Sequence, residues 1–456
     1  MLVQYSKGEL ILLKYEEIIE YIKNNIKTEK LNHPKKLPSI RSIQELFQCS
    51  TGTVLKAYSK LEQDHIIYSV PKSGYYIIDD FHNQTPSKQP IIDFSAVNLN
   101  AEAFPYRNFQ HCLNKSIDLY KEKLFTYSDP RGLNSLIKVL SKHIQNYQIF
   151  TKPDNIIITS SSQQALNILS IMPFPNRKSN ILVEQPTYYG MIKYLELNNI
   201  PTLGINRDFN GINLDELEKL FKYGNIKFFY SIPRFHNPTG TSYSKLEKQE
   251  IIKLAEKYDV YIVEDDIAAD LDVNKKNDPM FSYDTSSKVI YLKSYSKILM
   301  PGLRVAALIL PDLLINSFLE YKKWTDISSP ILSQGALEIY IKNGMFDAHM
   351  KQLVSLYNSR ISCLKNILLE YKHPNIQHNV PESGYFGCIY VNGSLKYDKI
   401  ITSLHHKNIR IFNTDQCFLK EYKCNNYFRI TISEVNERQI NKNIPIILDT
   451  IQKHLD

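Results

Sequence analysis

The segment Ser294-Tyr295-Ser296-Lys297-Ile298-Leu299-Met300-Pro301-Gly302-Leu303-Arg304 decides the reading of this 456-residue chain. It follows Val289-Ile290-Tyr291-Leu292, an apolar run that reads as a strand. A lysine therefore stands in a hydroxyl-rich turn at a strand end, with an arginine seven residues on. A lysine among apolar neighbours can lose its proton and form an imine with an aldehyde. Ser294, Ser296 and Arg304 offer hydroxyls and a guanidinium to a phosphate on the same ligand. An aldehyde and a phosphate on one small molecule describe pyridoxal 5′-phosphate (PLP). The plainer alternative is a solvated lysine beside a surface arginine.

Outward from this segment, further apolar runs alternate with amphipathic stretches from about Asp93 to the end. They include Ile156–Thr159, Ile181–Glu184, Phe228–Ser231, Val260–Val263 and Val305–Leu310. Runs of this kind suit strands covered on both faces, so the fold class is α/β, with ligands expected at the carboxyl ends of strands. Several of those ends carry chemistry. Glu264-Asp265-Asp266 could pair one carboxylate with a protonated pyridine nitrogen, or could simply be a solvated edge or a helix cap. Asn237, in His236-Asn237-Pro238-Thr239-Gly240, could donate to a phenolic oxygen or belong to a plain Asn-Pro turn. Thr159-Ser160-Ser161-Ser162-Gln163 leads from strand to helix, where hydroxyls and free N–H groups bind phosphate; a Ser N-cap is compatible with that. Tyr188 lies just past a strand end, where it could stack on a ring, although a lone tyrosine among 31 is more often packing. Arg429, in Tyr427-Phe428-Arg429-Ile430-Thr431, is a cation in an apolar strand and demands an anion, either a ligand carboxylate or a structural acid.

The first eighty residues follow another pattern. Tyr15, Ile18, Ile19, Ile22 and Ile26 are spaced as on a helix. Ser39 is positioned to cap a second helix through Phe47, and Thr51 to about Asp64 reads as a third. Two β-prone runs, Ile66–Ser69 and Tyr75–Ile78, flank a turn at Pro71-Lys72-Ser73-Gly74. This is the outline of a winged helix-turn-helix, or of a small three-helix cap. The polar, proline-bearing stretch 80–91 reads as a linker, which gives three parts: 1–79, 80–91 and 92–456.

Composition sets the limits. Apolar residues make up 43% and charged residues 22%, so a large core can form and wholesale disorder is excluded. The net charge of +8 is a mild basic bias that permits an anionic partner. No apolar run reaches the length of a membrane span, and the charged N-terminal residues do not read as a signal peptide. Six cysteines without CxxC spacing fit a reducing cytosol and argue against a zinc site. The expected location is cytoplasmic, and no metal is expected.

Taken together and in this order, the motifs from residue 92 to 456 resemble the fold-type-I aminotransferases, which have a large and a small domain. The segment from Tyr15 to Ile78 resembles the GntR-type winged helix through Leu37-Pro38-Ser39-Ile40-Arg41, Cys49–Tyr58 and Pro71–Tyr76. Their fusion resembles the MocR subfamily of bacterial transcription regulators. The resemblance implies that Lys297 is the Schiff-base lysine and Asp265 the pyridine-nitrogen partner. It places Asn237 near the phenolic oxygen and Tyr188 in the stack. Ser162, Gln163, Ser294, Ser296 and Arg304 would form the phosphate cup, with Tyr127 reaching the phosphate of a neighbouring subunit in a homodimer. Arg429 would take an effector carboxylate. Ser39, Arg41, Thr51, Thr53, Lys56, Tyr58, Ser73 and Gly74 would face operator DNA. Relatives usually carry a tyrosine two or three residues after the Asp265 position, where this chain has Ile267 and Ala268. One donor to the cofactor's phenolic oxygen is thereby lost, which should blunt transamination and spare binding. The winged helix is only weakly basic: eleven Lys and Arg against eight Asp and Glu in residues 1–78 leave +3. Two functions follow from the resemblance. One is a PLP-binding regulator that senses an amine, an amino acid or PLP itself. The other is a working aminotransferase with an accessory N-terminal module.

Overall fold

The computed structural model describes residues 13–27, 36–64, 66–70, 73–77, 91–97, 103–274, 277–422, 424 and 426–455. The chain divides into two compact units, Met1–Gln89 and Pro90–Asp456. Apart from Ile91, the expected linker 80–91 lies outside the described residues, as do Pro71, Lys72 and Ile78.

The small unit holds helices α1 (Lys14–Lys27), α2 (Ile40–Phe47) and α3 (Thr51–Gln63), then strands β1 (Ile67–Val70) and β2 (Gly74–Ile77). Ser39 caps α2 by accepting from the Ser42 N–H at 3.1 Å, and Ser50 caps α3 by accepting from Thr53 at 3.2 Å. Between them Gln48 takes a left-handed φ of 46°, which turns the chain sharply. Ile18, Ile22, Ile43, Val54, Ala57 and Leu61 close a shared core. β1 and β2 form an antiparallel hairpin in which Val70 faces Gly74. Gly74 has φ +116°, a conformation that disfavours any side chain.

One expected DNA contact is corrected here. Tyr58 is fully buried in that core, its ring 4.8 Å edge-on from Tyr75 and its hydroxyl donating to the Pro38 carbonyl at 2.7 Å. The helical period places residue 58 with Val54 and Leu61 on the inner face of α3.

In the large unit, β3 (Ile92–Asp93) precedes β4 (Ile156–Thr159), β5 (Asn180–Gln185), β6 (Thr202–Asp208), β7 (Gly211–Ile212), β8 (Ile226–Ser231), β9 (Tyr261–Asp265), β10 (Val289–Ser294) and β11 (Ala306–Ile309). These are followed by β12 (Ile376–Asn379), β13 (Phe386–Val391), β14 (Ile409–Arg410), β15 (Phe412–Asn413) and β16 (Tyr427–Thr431). An eight-stranded sheet has the order β4-β11-β10-β9-β8-β5-β6-β7. β10, β9, β8, β5 and β6 run parallel, while β11 is antiparallel to both of its neighbours. Alternate residues serve opposite faces: Ile156 and Ile158 enter one core, and Ile157 enters another. A second, antiparallel sheet, β12-β13-β16-β15, packs with the helices Met345–Glu370 and Glu437–Lys453. The segment after β3 is tied to this sheet, since the Thr431 N–H donates to the Phe94 carbonyl at 2.8 Å. Among the described residues no helix is long and apolar enough to cross a membrane.

Replacing Tyr58 by Ala should cost the small unit about 3–5 kcal/mol, the usual price of emptying an aromatic core site. Urea unfolding of the full chain measures this. Unchanged unfolding would return Tyr58 to the surface role.

Candidate functional site

Strand register brings the motifs together. Leu292 on β10 pairs with Asp265 on β9, Ser294 pairs with Ala306 on β11, and Ala306 pairs with Thr159 on β4. The carboxyl ends of β4, β9 and β10 therefore meet at one rim, where a cavity of about 500 Å³ opens. Lys297, Asp265, Asn237, Tyr188, Ser162, Gln163, Ser294, Ser296, Arg304 and Arg429 all line it. Tyr127 does not; its side chain is 83% exposed elsewhere on this unit.

The three adjacent carboxylates separate cleanly. Glu264 accepts from the Met280 and Phe281 N–H groups, and Asp266 pairs with Arg234 and Tyr291. Only Asp265 lines the cavity, with one oxygen accepting from the Tyr230 hydroxyl at 2.8 Å. Burial pushes its pKa up to about 7; the Tyr230 hydrogen bond and the Lys297 charge oppose that, and Asp266 adds to it. Burial also lowers the pKa of Lys297, and Arg429 and Arg304 lower it further against the pull of Asp265.

At the helix Ser162–Ile171, Ser161 is the N-cap and accepts from the Gln164 N–H at 3.1 Å. That leaves the Ser162 hydroxyl uncommitted. Gln163 donates to Asn167 and to the Gly190 carbonyl. A Cβ on Gly190 would lie 2.6 Å from the Tyr188 ring and from Gln163, so a glycine is required for both to approach. Arg304 is exposed at a left-handed φ of 56°. Arg429 is buried between segments: it donates to Asn237 Oδ1 at 2.8 Å and to the Ser95 carbonyl at 2.7 Å, with its guanidinium 3.8 Å from the centre of the Phe412 ring.

Three features went unseen in the sequence. Tyr230 reaches Asp265 from mid-strand, where it looked like another buried tyrosine. Ser95 and Phe412 reach Arg429 from segments with no motif of their own. The loop carrying Asn237 is braced by Glu184, which accepts from Arg207, Ser231 and Tyr243 at 2.6–2.7 Å and from the Ile232 N–H. Burial would raise the Glu184 pKa, but Arg207 and the donors hold it well below the usual range.

The lining residues fit PLP on grounds of their own. Ser162 Oγ, Asp265 Oδ1 and Arg429 Nε are buried without partners among the described residues. Together they offer a hydroxyl, a carboxylate oxygen and a cationic N–H, which match a phosphate, a pyridinium and a carboxylate. The charged residues lining the cavity are Lys297, Arg304, Arg429 and Asp265, an excess of cations suited to an anionic ligand.

On the small unit, Ser39, Arg41, Thr51 and Lys56 are exposed, and Thr53 is half-buried. The Thr51 hydroxyl accepts from Gln44 at 2.8 Å, and the Lys56 ammonium lies 4.1 Å from the centre of the Tyr15 ring. Ser73 and Gly74 stand at the hairpin turn, where the Ser73 hydroxyl meets the Tyr76 hydroxyl at 2.5 Å.

Residues 95–446 match the family of aminotransferase class I and II, and residues 14–77 match the bacterial regulatory proteins of the gntR family. The HTH-type transcriptional regulator YcxD of Bacillus subtilis is 41% identical over 439 residues, spanning 95% of this chain and 99% of YcxD. The chain belongs to the MocR-type transcription regulators. The HTH-type transcriptional regulator NorG of Staphylococcus aureus is 24% identical over 77% of this chain and 85% of NorG. Among solved structures, the kynurenine aminotransferase of Pyrococcus horikoshii superposes with a TM-score of 0.74 at 25% identity, covering 80% of this chain and 92% of its own. The regulator thus joins a GntR helix-turn-helix, which implies a DNA partner, to a domain of a PLP-dependent family.

A pH dependence follows for the cofactor-free regulator. The Asp265 pKa is raised on folding, so its contribution favours the native state in acid. That contribution is lost as pH rises from the ordinary carboxylate value of about 4 to about 7. Asp265→Asn should flatten this loss and leave the cofactor-free variant more stable than wild type at pH 8. Thermal unfolding at pH 5 and pH 8 measures it.

Proposed function

We propose that this regulator binds PLP in the cavity around Lys297 and uses it to sense a small amine or amino acid, or PLP itself, while the winged helix holds operator DNA. The observation that carries the reading is the set of three buried, unpartnered polar atoms, Ser162 Oγ, Asp265 Oδ1 and Arg429 Nε, around one lysine. When bound, PLP supplies an electrophilic aldehyde and an electron-withdrawing ring. Ser162, Gln163, Ser294, Ser296 and Arg304 hold the phosphate. Asp265 takes charge beside the ring nitrogen, and Tyr188 covers the ring face. Lys297 Nζ, whose pKa is lowered by burial, provides the point of covalent attachment. Arg429 receives the effector carboxylate.

Receiving that carboxylate makes Arg429 exchange or share its bonds to Asn237 and Ser95, which belong to different segments. Such an exchange biases the unit between two arrangements, and in a homodimer it would alter how paired winged helices meet their half-sites. Tyr127, exposed on its own unit, would complete the phosphate site of the neighbouring subunit. The proposed setting is the bacterial cytoplasm.

Lys297→Ala should abolish the yellow absorbance of the purified protein, and Arg429→Ala should keep that colour but lose its response to amino acids. Unchanged colour in Lys297→Ala would refute the site. Rapid multiple turnover of amino and keto acids by the wild type would refute sensing in favour of catalysis.

The DNA half makes a separate prediction. Arg41 is 89% exposed, with a loose contact to Glu45 at 3.7 Å, and is free to meet phosphate. Arg41→Ala should weaken operator binding across sequences and lower the slope of log affinity against log salt by about 1. A gel-shift titration at several salt concentrations reads both.

A further inference from the structure

A second cavity, of about 480 Å³, opens where β6, β7 and the helix Leu214–Tyr223 of the large sheet approach β13 and β16 of the small one. It shares no lining residue with the cavity around Lys297. One wall is aromatic. Tyr390 and Tyr427 pack with ring centres 4.8 Å apart, and Phe418 lies 5.9 Å from Tyr427. The rim opposite carries two exposed carboxylates, Asp208 and Glu216. Burial leads the upward pKa shift of the Tyr390 and Tyr427 phenols, and Asp208 adds to it, so that charge lies beside the rings. Faces of phenol rings next to carboxylates attract an organic cation, most strongly one too alkylated to be well hydrated.

The inner end has the opposite character. Gln185, at the end of β5, accepts from the Leu419 N–H through Oε1 and leaves Nε2 buried with no partner among the described residues. Arg207 spends its terminal nitrogens on Glu184 and on the Ile232 and Thr241 carbonyls, and its Nε is also buried and unpartnered. Both residues line the cavity. Strand register pairs Gln185 with Asn206 and puts the Arg207 side chain on the opposite face, where Glu184 neutralises it, so Gln185 Nε2 is the donor left for an acceptor at one end of a ligand, with a cation at the aromatic and acidic end.

We propose that this cavity is a second small-molecule site, for an organic zwitterion with an alkylated ammonium at the aromatic wall and a carboxylate at Gln185. The site lies next to the first along the chain. Tyr427 is two residues before Arg429 on the same face of β16, and Gln185 is three residues before Tyr188. A ligand here would bear on both elements that flank the Lys297 cavity.

Glycine betaine is the probe, because its nitrogen bears no hydrogen and cannot condense with an aldehyde. Calorimetric titration of betaine into the full-length protein should give saturable one-to-one binding, with the yellow absorbance unchanged. Asp208→Asn removes only an exposed charge and keeps the acceptor for the Asn210 N–H; it should weaken betaine several-fold. Tyr390→Ala should weaken it about tenfold. Tetramethylammonium, which lacks the acceptor, should bind more weakly than betaine. No saturable heat, or wild-type affinity in both variants, would overturn the site, and equal affinity for betaine and tetramethylammonium would overturn the zwitterion assignment. Repeating the titration with Lys297→Ala protein separates this result from the fate of the PLP reading.

Discussion

Asp265 is a carboxylate withdrawn from water with one oxygen satisfied by Tyr230 and the other left without a partner among the described residues. Leaving an ionised group in that state costs several kcal/mol, which favours the protonated form, and the pKa rises to about 7. A cationic ring nitrogen placed at Oδ1 would repay the desolvation and restore the negative charge. The architecture holds the carboxylate to this task. Its neighbours in sequence are committed elsewhere, Glu264 to backbone N–H groups and Asp266 to Arg234 and Tyr291, so no relaxation of the strand end can exchange one for another. Parallel pairing of β9 with β10 then sets the lysine turn beside it.

Arg429 applies the same constraint to a cation. It is almost fully buried with no carboxylate partner among the described residues, and burial lowers its pKa. It is held by an amide oxygen, a backbone carbonyl and an aromatic face. These partners are dipoles and a quadrupole, so a full negative charge would outcompete them. Because Ser95, Asn237 and Phe412 come from three separate stretches of chain, an anion at Arg429 would change what ties those stretches together.

Much of this was legible in the sequence for a physical reason. Strands covered on both faces must be apolar throughout, so β4, β5, β8, β9 and β10 stand out, and the polar residues that end them mark the rim. The antiparallel direction of β11 was not legible, because direction leaves no trace in an apolar run of four or six residues. β6 was missed because it alternates: Asn206 and Asp208 are exposed while Ile205 and Arg207 are buried. The apolar spacing of Val54, Ala57, Tyr58 and Leu61 already puts residue 58 on the inner face of its helix, and the DNA contact expected of Tyr58 rests on the motif match alone, which marks a helix without marking its faces. Tyr230, Ser95 and Phe412 share the opposite difficulty. Each acts through a long-range contact that local pattern does not encode.

The positions after Asp265 bear on what the site is for. Ile267 lines the cavity and Ala268 is buried in the apolar core, so neither offers a hydroxyl to a phenolic oxygen. Tyr230 spends its hydroxyl on Asp265. On the proposed reading, the groups that would hold a ligand are present, namely a charge partner, a phosphate cup and an attachment lysine, while a hydroxyl that would tune its reactivity is not supplied at residues 267 and 268. Holding and turning over draw on different interactions, since tight ground-state binding does not by itself lower a chemical barrier. A site with the first set and only part of the second would suit the proposed registering of a ligand better than its conversion.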